Sequence, residues 1–219
     1  MLAWVVEAAR ACPQLDDVIV ATDDLEVEAV CLAQGWRVEM TAADLASGSD
    51  RVYAVAKRHP AEIYVNIQGD EPLLRAPHLT SLLTPFADPG VAVTTLKVRC
   101  SQENLSNPNA VKVVTDRAGR ALYFSRATIP YDRDGVSPAV WKHLGFYAYR
   151  AAALERFHAL VPGGLEAAER LEQLRFLEHG MAIHVAETGF DTVGVDTEED
   201  LRRVEAILQD RLDPRQSSS

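Results

Sequence analysis

YVNIQGDEPLL, residues 64–74, decides the reading of the fold. An apolar run of strand type, Ile63 to Ile67, ends in Gln68-Gly69, and two carboxylates, Asp70 and Glu71, follow before Pro72. The near-continuous apolar character suits a strand buried on both faces. In open α/β sheets ligands bind beyond the C-terminal ends of the strands, and Asp70 stands at such an end. Gly69 lets the backbone approach a ligand closely. A hard cation such as Mg2+ takes carboxylate oxygens and shares its shell with substrate phosphates, so Asp70 is a candidate ligand. Asp196, in VGVDTEEDL, occupies a similar place far off in the sequence, ending a predicted strand just before a helix. Two such aspartates can converge on one metal. Each can equally do no more than start the segment that follows it.

The pattern on either side of this stretch alternates. Upstream, LAWVVEAARAC has helical spacing, DDVIVATD is a short strand, LEVEAVCLAQG is a helix closed by Gly35, and WRVEMT is a strand. Ser47 or Ser49 caps a helix running to about His59. Downstream, APHLTSLLTPF is helical until Pro85 and GVAVTTLKV is a strand. This βαβα order predicts a mainly parallel, Rossmann-like sheet with helices on both sides. From about residue 108 the pattern changes. AVKVVTDRAGRALYF reads as two strands around a turn at residues 116–119, and HLGFYAYR as another strand. AAALERFHALV and LEAAERLEQLRFLEHG read as two helices separated by Pro162-Gly163-Gly164. AIHVAET and TVGVD read as short strands, and TEEDLRRVEAIL as a last helix capped by Thr197. The expectation is one α/β domain over residues 1–210, with an inserted β-rich segment at about 116–160 and a disordered tail at 211–219.

Composition bounds the function. The chain has 219 residues, 47% apolar and 25% charged, as in an ordinary soluble globular protein. No apolar run reaches the roughly 18 residues that suggest a membrane span. A net charge of −10 argues against a broad nucleic-acid surface, and means that an anionic substrate must meet a local cluster of Arg and Lys. Cys12, Cys31 and Cys100 are scattered without metal-ligand spacing and read as reduced cytoplasmic thiols.

Other stretches admit two readings each. SGSDR, residues 47–51, is a polar turn at a helix start that can hold a base edge or a phosphate; it can also be a helix cap plus a surface arginine. Asn107 and Asn109 of NPNAVKVV can simply make Asx-turns. His143 and Tyr147, four apart in a strand, share one face with Tyr149, while Phe146 lies on the other. A histidine there is more often satisfied in the core than a ligand. By pattern alone Glu172 and Gln173 belong to a solvated helix surface.

MTAADLASGSDR, VNIQGDEPLL, NPNAVKVV, ALYFSRATIPYDRD, KHLGFYAYR, LEAAERLEQLRFLEHG and GVDTEEDL occur here in one order, from about residue 1 to 207. Together they resemble the 3-deoxy-manno-octulosonate cytidylyltransferases, or CMP-Kdo synthetases. The resemblance implies a nucleotide-diphospho-sugar-transferase-like fold with a β-rich dimerisation or lid segment. It implies Mg2+-dependent joining of CTP to the sugar acid Kdo, with release of pyrophosphate, by a cytoplasmic homodimer serving lipopolysaccharide biosynthesis. Asp70 and Asp196 would hold the metal, with Asp70 also on the nucleotide side. Gln68 would lie beside the sugar and Arg126 would pair with its carboxylate. His143, Tyr147, Glu172 and Gln173 would hydrogen-bond its hydroxyls. Ser47, Gly48 and Arg51 would contact the cytosine and ribose side. A cytidylyltransferase for another sugar acid (8-amino-Kdo or a sialic acid) and an inactive truncated remnant are the alternatives.

The departures from that family are specific. It normally begins with a strand and a loop of the type IPARxxSxRxPGKPL, whose arginine and lysine serve the triphosphate. Here MLAWVVEAARA resembles the segment just after that loop, so the expectation is that the strand and loop are missing and that these 219 residues alone are unstable or nearly inactive. Leu45 stands where a histidine is common and Ser49 where a threonine is common.

Overall fold

In the computed structural model, which describes residues 1–45 and 47–212, the strands form two sheets. β1 (Ile19–Thr22) and β2 (Arg37–Met40) pair in parallel. The larger sheet has the order β6 (Ala121–Ser125), β5 (Lys112–Thr115), β7 (Trp141–Arg150), β4 (Val93–Arg99), β8 (His184–Glu187). β3 (Ile63–Asn66) pairs with the last four residues of β7. β3, β4, β5 and β8 run in one direction and β6 and β7 against them, so the expected common direction holds for most of the sheet. The chain reverses at the 116–119 turn, where Gly119 takes φ 77°, and makes no helical crossover before β7.

The central β7 carries apolar residues on both faces. Leu144, Phe146 and Ala148 pack into a core with Leu79, Leu82 and Leu96, beneath α1 (Leu2–Arg10) and α4 (Ala76–Leu83). Tyr149 faces the other way, into a core with Phe124, Leu154, Phe157, Leu174 and Phe176, under α5 (Ala151–His158). Each fully buried Leu or Phe contributes about 1.5–3 kcal/mol. A register shift opposite Thr95 and Leu96 adds two residues to β7, which keeps the alternation of faces on either side of it.

Local chemistry closes the helices as read. Asp24 caps α2 (Leu25–Gln34), accepting from Glu26 N at 2.7 Å, and Gly35 ends it at φ 67°. Ser47 caps α3 (Gly48–Ala56), accepting from Asp50 N at 3.2 Å. The stretch read as one helix over LEAAERLEQLRFLEHG is instead two, α6 (Gly164–Glu169) and α7 (Leu174–Glu178). Arg170 between them is left-handed at φ 51°. The break is stabilised from outside: the Arg126 guanidinium takes the carbonyls of Glu169 and Arg170, which a continuing helix would have used. TVGVD is not a strand either. Residues 191–196 are in no strand ladder; Val193 and Val195 pack against Leu73, Val204 and Leu208, the last two on α8 (Glu198–Leu212). The expected tail lies outside the described residues apart from residues 211 and 212, which close α8.

Candidate active site

Two loops bring the distant aspartates together. The segment after β3 carries Gln68, the open turn at Gly69, and Asp70. The segment before α8 carries Asp196. Val195 N donates to the Asp70 carbonyl at 2.9 Å, which sets the two loops side by side. Burial pushes the Asp70 carboxyl up, and the like charge of Asp196 adds to the rise. Asp196 also adjoins a cap: Thr197 and Asp200 bond reciprocally at the start of α8, with Asp200 N donating to Thr197 Oγ1 at 3.2 Å and Thr197 Oγ1 donating to Asp200 Oδ2 at 2.7 Å. Among the described residues no group of three or more His, Cys, Asp or Glu side chains is arranged to hold a metal by itself. A pair of carboxylates suits Mg2+ that arrives with the phosphates of a substrate, since that ion keeps few protein ligands.

Beside Asp70 stands the second of the paired acids, to which the sequence reading gave no role. Burial pushes the Glu71 carboxyl up to about 7, against the opposing hydrogen bond of Thr192, with Asp70 adding to the rise. Glu71 Oε2 is shut off from solvent and has no hydrogen-bond partner among the described residues. Its place in GDEP, one residue after a strand-end aspartate, was the available signal.

The start of α3 packs against the same strand end. A Cβ on Gly48 would stand 2.7 Å from Gln68 Nε2 and 3.6 Å from Asn66 Nδ2, so the absence of a side chain lets Ser47 and Gly48 lie beside Gln68. Arg51 is not a plain surface arginine. It pairs with Asp23 Oδ1 at 3.0 Å and donates to Thr41 Oγ1, joining the ends of β1 and β2 to α3.

The other face of the sheet presents a row of rings. His143 and Tyr147 have centroids 5.5 Å apart, and Tyr147 and Tyr149 stack at 6.0 Å. His143 is buried, and burial holds its imidazole down to about 3. Thr95 Oγ1 donates to the carbonyl of Phe146 at 2.8 Å, so its oxygen accepts from His143 Nε2–H at 2.9 Å. That tautomer leaves Nδ1 as an acceptor. Burial pushes the Tyr147 and Tyr149 hydroxyls up, so both stay protonated donors.

Glu172 and Gln173 are not the solvated surface that their pattern suggested. Gln173 is 7% exposed, because the break after α6 turns this segment inward. Glu172 Oε2 accepts from Ser49 Oγ at 3.0 Å, and Ser49 Oγ meets Tyr149 Oη at 3.4 Å. Burial pushes the Glu172 carboxyl up while the serines hold it down in part. An open cleft of about 450 Å3 adjoins this network, lined by Ser47, Glu166, Arg170, Glu172 and Arg175 among others. Tyr149, and Asn66 which hydrogen-bonds it, belong to this network from the core side; the face shared by Tyr149 and Tyr147 was the signal for the first, and nothing in the sequence marked the second.

Arg126 reaches the same segment from β6. Nε donates to the Glu169 carbonyl at 2.7 Å, Nη2 to the Arg170 carbonyl at 3.3 Å and Nη1 to the Pro108 carbonyl at 3.0 Å. Asn107 makes the Asx-turn read from the sequence, accepting from Asn109 N at 2.9 Å. Three of the five guanidinium N–H groups are thereby committed to backbone, which leaves two for an anionic ligand.

A mixed α/β sheet with strand-end carboxylates and, beside them, a polar cleft is the architecture of nucleotidyltransferases of the nucleotide-diphospho-sugar-transferase fold. The family model for cytidylyltransferases matches residues 1–183. The 3-deoxy-manno-octulosonate cytidylyltransferase of Acidobacterium capsulatum is 59% identical over 212 residues, 96% of this chain and 86% of its own length. That of Koribacter versatilis is 57% identical, over 96% of this chain and 81% of its own. A solved structure of CMP:2-keto-3-deoxy-manno-octonic acid synthetase complexed with CTP matches with a TM-score of 0.92 at 39% identity, over 96% of this chain and 88% of that one. The chain belongs to the cytidylyltransferase family, in its 3-deoxy-manno-octulosonate branch.

Proposed function

We propose that this chain transfers CMP from CTP to the anomeric hydroxyl of Kdo, giving CMP-Kdo and pyrophosphate. The hydroxyl oxygen forms a bond to the α-phosphorus, the bond from that phosphorus to the bridging oxygen of the β-phosphate breaks, pyrophosphate leaves, and the hydroxyl proton passes to solvent. Such a transfer asks the protein mainly to position the reactants and to neutralise phosphate charge. The observation that carries the reading is the Asp70–Asp196 pair, tied by the Val195 N to Asp70 carbonyl bond. These two carboxylates would hold Mg2+, which when bound shields the phosphates and lowers the pKa of the attacking hydroxyl. Ser47, Gly48 and Arg51 frame the nucleotide side. Gln68 lies between the two substrates. The free N–H groups of Arg126 meet the sugar carboxylate, since charge-assisted hydrogen bonds suit such a pair. His143 Nδ1 accepts from a sugar hydroxyl, and Tyr147, Glu172 and Gln173 bond others.

The test is pyrophosphate release from CTP and Mg2+ with Kdo, 8-amino-Kdo or a sialic acid offered in turn. The reading expects Kdo to be preferred, and Asp70→Asn and Asp196→Asn each to lose at least about 100-fold in kcat, given the several kcal/mol that a metal supplies. Preference for another acid would move the assignment to that acid. We infer a cytoplasmic homodimer as well. Three free thiols accord with the first part. The apolar side chains Leu122, Tyr131 and Val136, 62%, 87% and 76% exposed within the 116–160 segment, support the second. Sedimentation of the wild type against Leu122→Asp tests it.

A further inference from the structure

Asp196 stands at the end of a segment that no sheet holds. Residues 190–196 have no ladder partner, yet a cation site shared with Asp70 needs Asp196 fixed to a fraction of an ångström. Besides the packing of Val193 and Val195, side chains and backbone of other elements hold this segment. At its start His78, buried on α4, accepts from Arg75 N through Nδ1 at 3.0 Å, so its Nε2–H donates to the Phe190 carbonyl at 2.9 Å. At its end Val195 N meets the Asp70 carbonyl. Between them Lys142 reaches across from β7: Nζ donates to Asp191 Oδ1 at 2.9 Å and to the Thr192 carbonyl at 2.7 Å. The Lys142 side chain is 13% exposed, and Thr192 is 2% exposed, against the Glu71 carboxylate that underlies Asp70. Gly194 passes 3.5 Å from Glu71 Oε1 as measured from the Cβ it lacks.

We propose that Lys142 is a positioning residue for the divalent-cation site: by clamping Asp191 and the Thr192 carbonyl it sets where Asp196 stands opposite Asp70. The proposal rests on the reading of Asp70 and Asp196 as the carboxylates of that site. Lys142 neighbours His143 in sequence but faces the opposite side of β7 from the His143–Tyr147–Tyr149 row. Its loss therefore weakens the metal while leaving the sugar contacts in place, which separates positioning from general loss of structure.

The experiment is calorimetry of Mn2+ binding to the protein saturated with CTP, without any sugar acid, so that nothing turns over. Wild type, Lys142→Met and Lys142→Arg are compared, and KM for Kdo is measured separately. Outer partners of metal ligands alter affinity by about 10–100-fold, so Lys142→Met is expected to weaken Mn2+ by that factor. Lys142→Arg is expected to recover most of it, and KM for Kdo to stay within about twofold of the wild type. Mn2+ affinity in Lys142→Met within about threefold of wild type overturns the proposal. So does a loss of Mn2+ affinity that is matched by a rise in KM for Kdo and a fall in folded fraction. Should Lys142→Met not fold, Asp191→Asn removes the other half of the clamp at a side chain 40% exposed, and unchanged Mn2+ affinity there is equally fatal. Wild-type protein that binds CTP without drawing Mn2+ refutes the cation reading itself, a result distinct from a wild type and a Lys142→Met that bind alike.

Discussion

Replacing Glu71 by Gln should stabilise the free protein above pH 7 and flatten its pH dependence below. The carboxyl ordinarily ionises at 4.5 and is pushed up to about 7 by burial beneath Asp70. Below 4.5 both folded and unfolded chains carry the proton, and Glu71 costs nothing. Between 4.5 and 7 the unfolded chain releases it while the folded chain keeps it, so stability falls as pH rises. Above 7 the folded chain holds a buried carboxylate whose Oε2 has no hydrogen-bond partner among the described residues. The gap between 4.5 and about 7, at about 1.4 kcal/mol for each tenfold in proton affinity, gives a loss of about 3 kcal/mol. Glutamine has the same shape and no charge to desolvate. At pH 8 the variant should gain up to about 3 kcal/mol, or about 6–12 °C in Tm for a chain of this size. Denaturant unfolding of both proteins from pH 4 to 8, without metal or nucleotide, measures it. Parallel stability curves over the whole range would refute the reasoning, because they would mean that Glu71 meets water or a cation in the folded state.

Further outcomes follow from the same geometry. His143 is held neutral, so a His143→Gln enzyme should keep the acid limb of the wild-type kcat/KM profile while its KM for the sugar acid rises. Its folded-state imidazole value of about 3, below the ordinary 6.5, means that wild-type stability present above pH 6.5 is lost as the pH falls toward 3; the variant should lack that part of the acid transition. Ser49→Ala removes the donor to Glu172 Oε2 and should raise the apparent KM for the sugar acid by about 3–10-fold, the net worth of one ordinary hydrogen bond, with kcat little changed. Arg126→Lys cannot keep three carbonyls and a carboxylate at once; both Tm and sugar affinity should fall, whereas a loss of affinity alone would show that the backbone contacts do not matter.

Much of this was legible in the residues themselves. The apolar run before GDEP marked β3, Gly35 marked the end of α2, and Ser47 and Thr197 marked helix starts, because each rests on chemistry within a few residues. What was misread depends on distant partners. Helical spacing continues unbroken through Glu169-Arg170-Leu171-Glu172, and the break is held by a distant partner, the Arg126 guanidinium, 44 positions before Arg170. The inward turn of Glu172 and Gln173 follows from that break. The alternating valines of TVGVD look like a strand, but here the Thr192 carbonyl goes to Lys142 and the Val195 N–H to Asp70, not to a ladder. Arg51 looked exposed because Asp23 and Thr41, which hold it, come from two other strand ends.

The central claim is that the carboxylates of residues 70 and 196 share one divalent ion with the triphosphate of CTP. Crystals grown with Mn2+ and CTP, read by anomalous scattering, test it most directly. The account predicts a peak at bonding distance, about 2.1–2.2 Å, from an oxygen of each aspartate and from a phosphate oxygen. A peak held by phosphates alone, with the two side chains turned away from it, would contradict it.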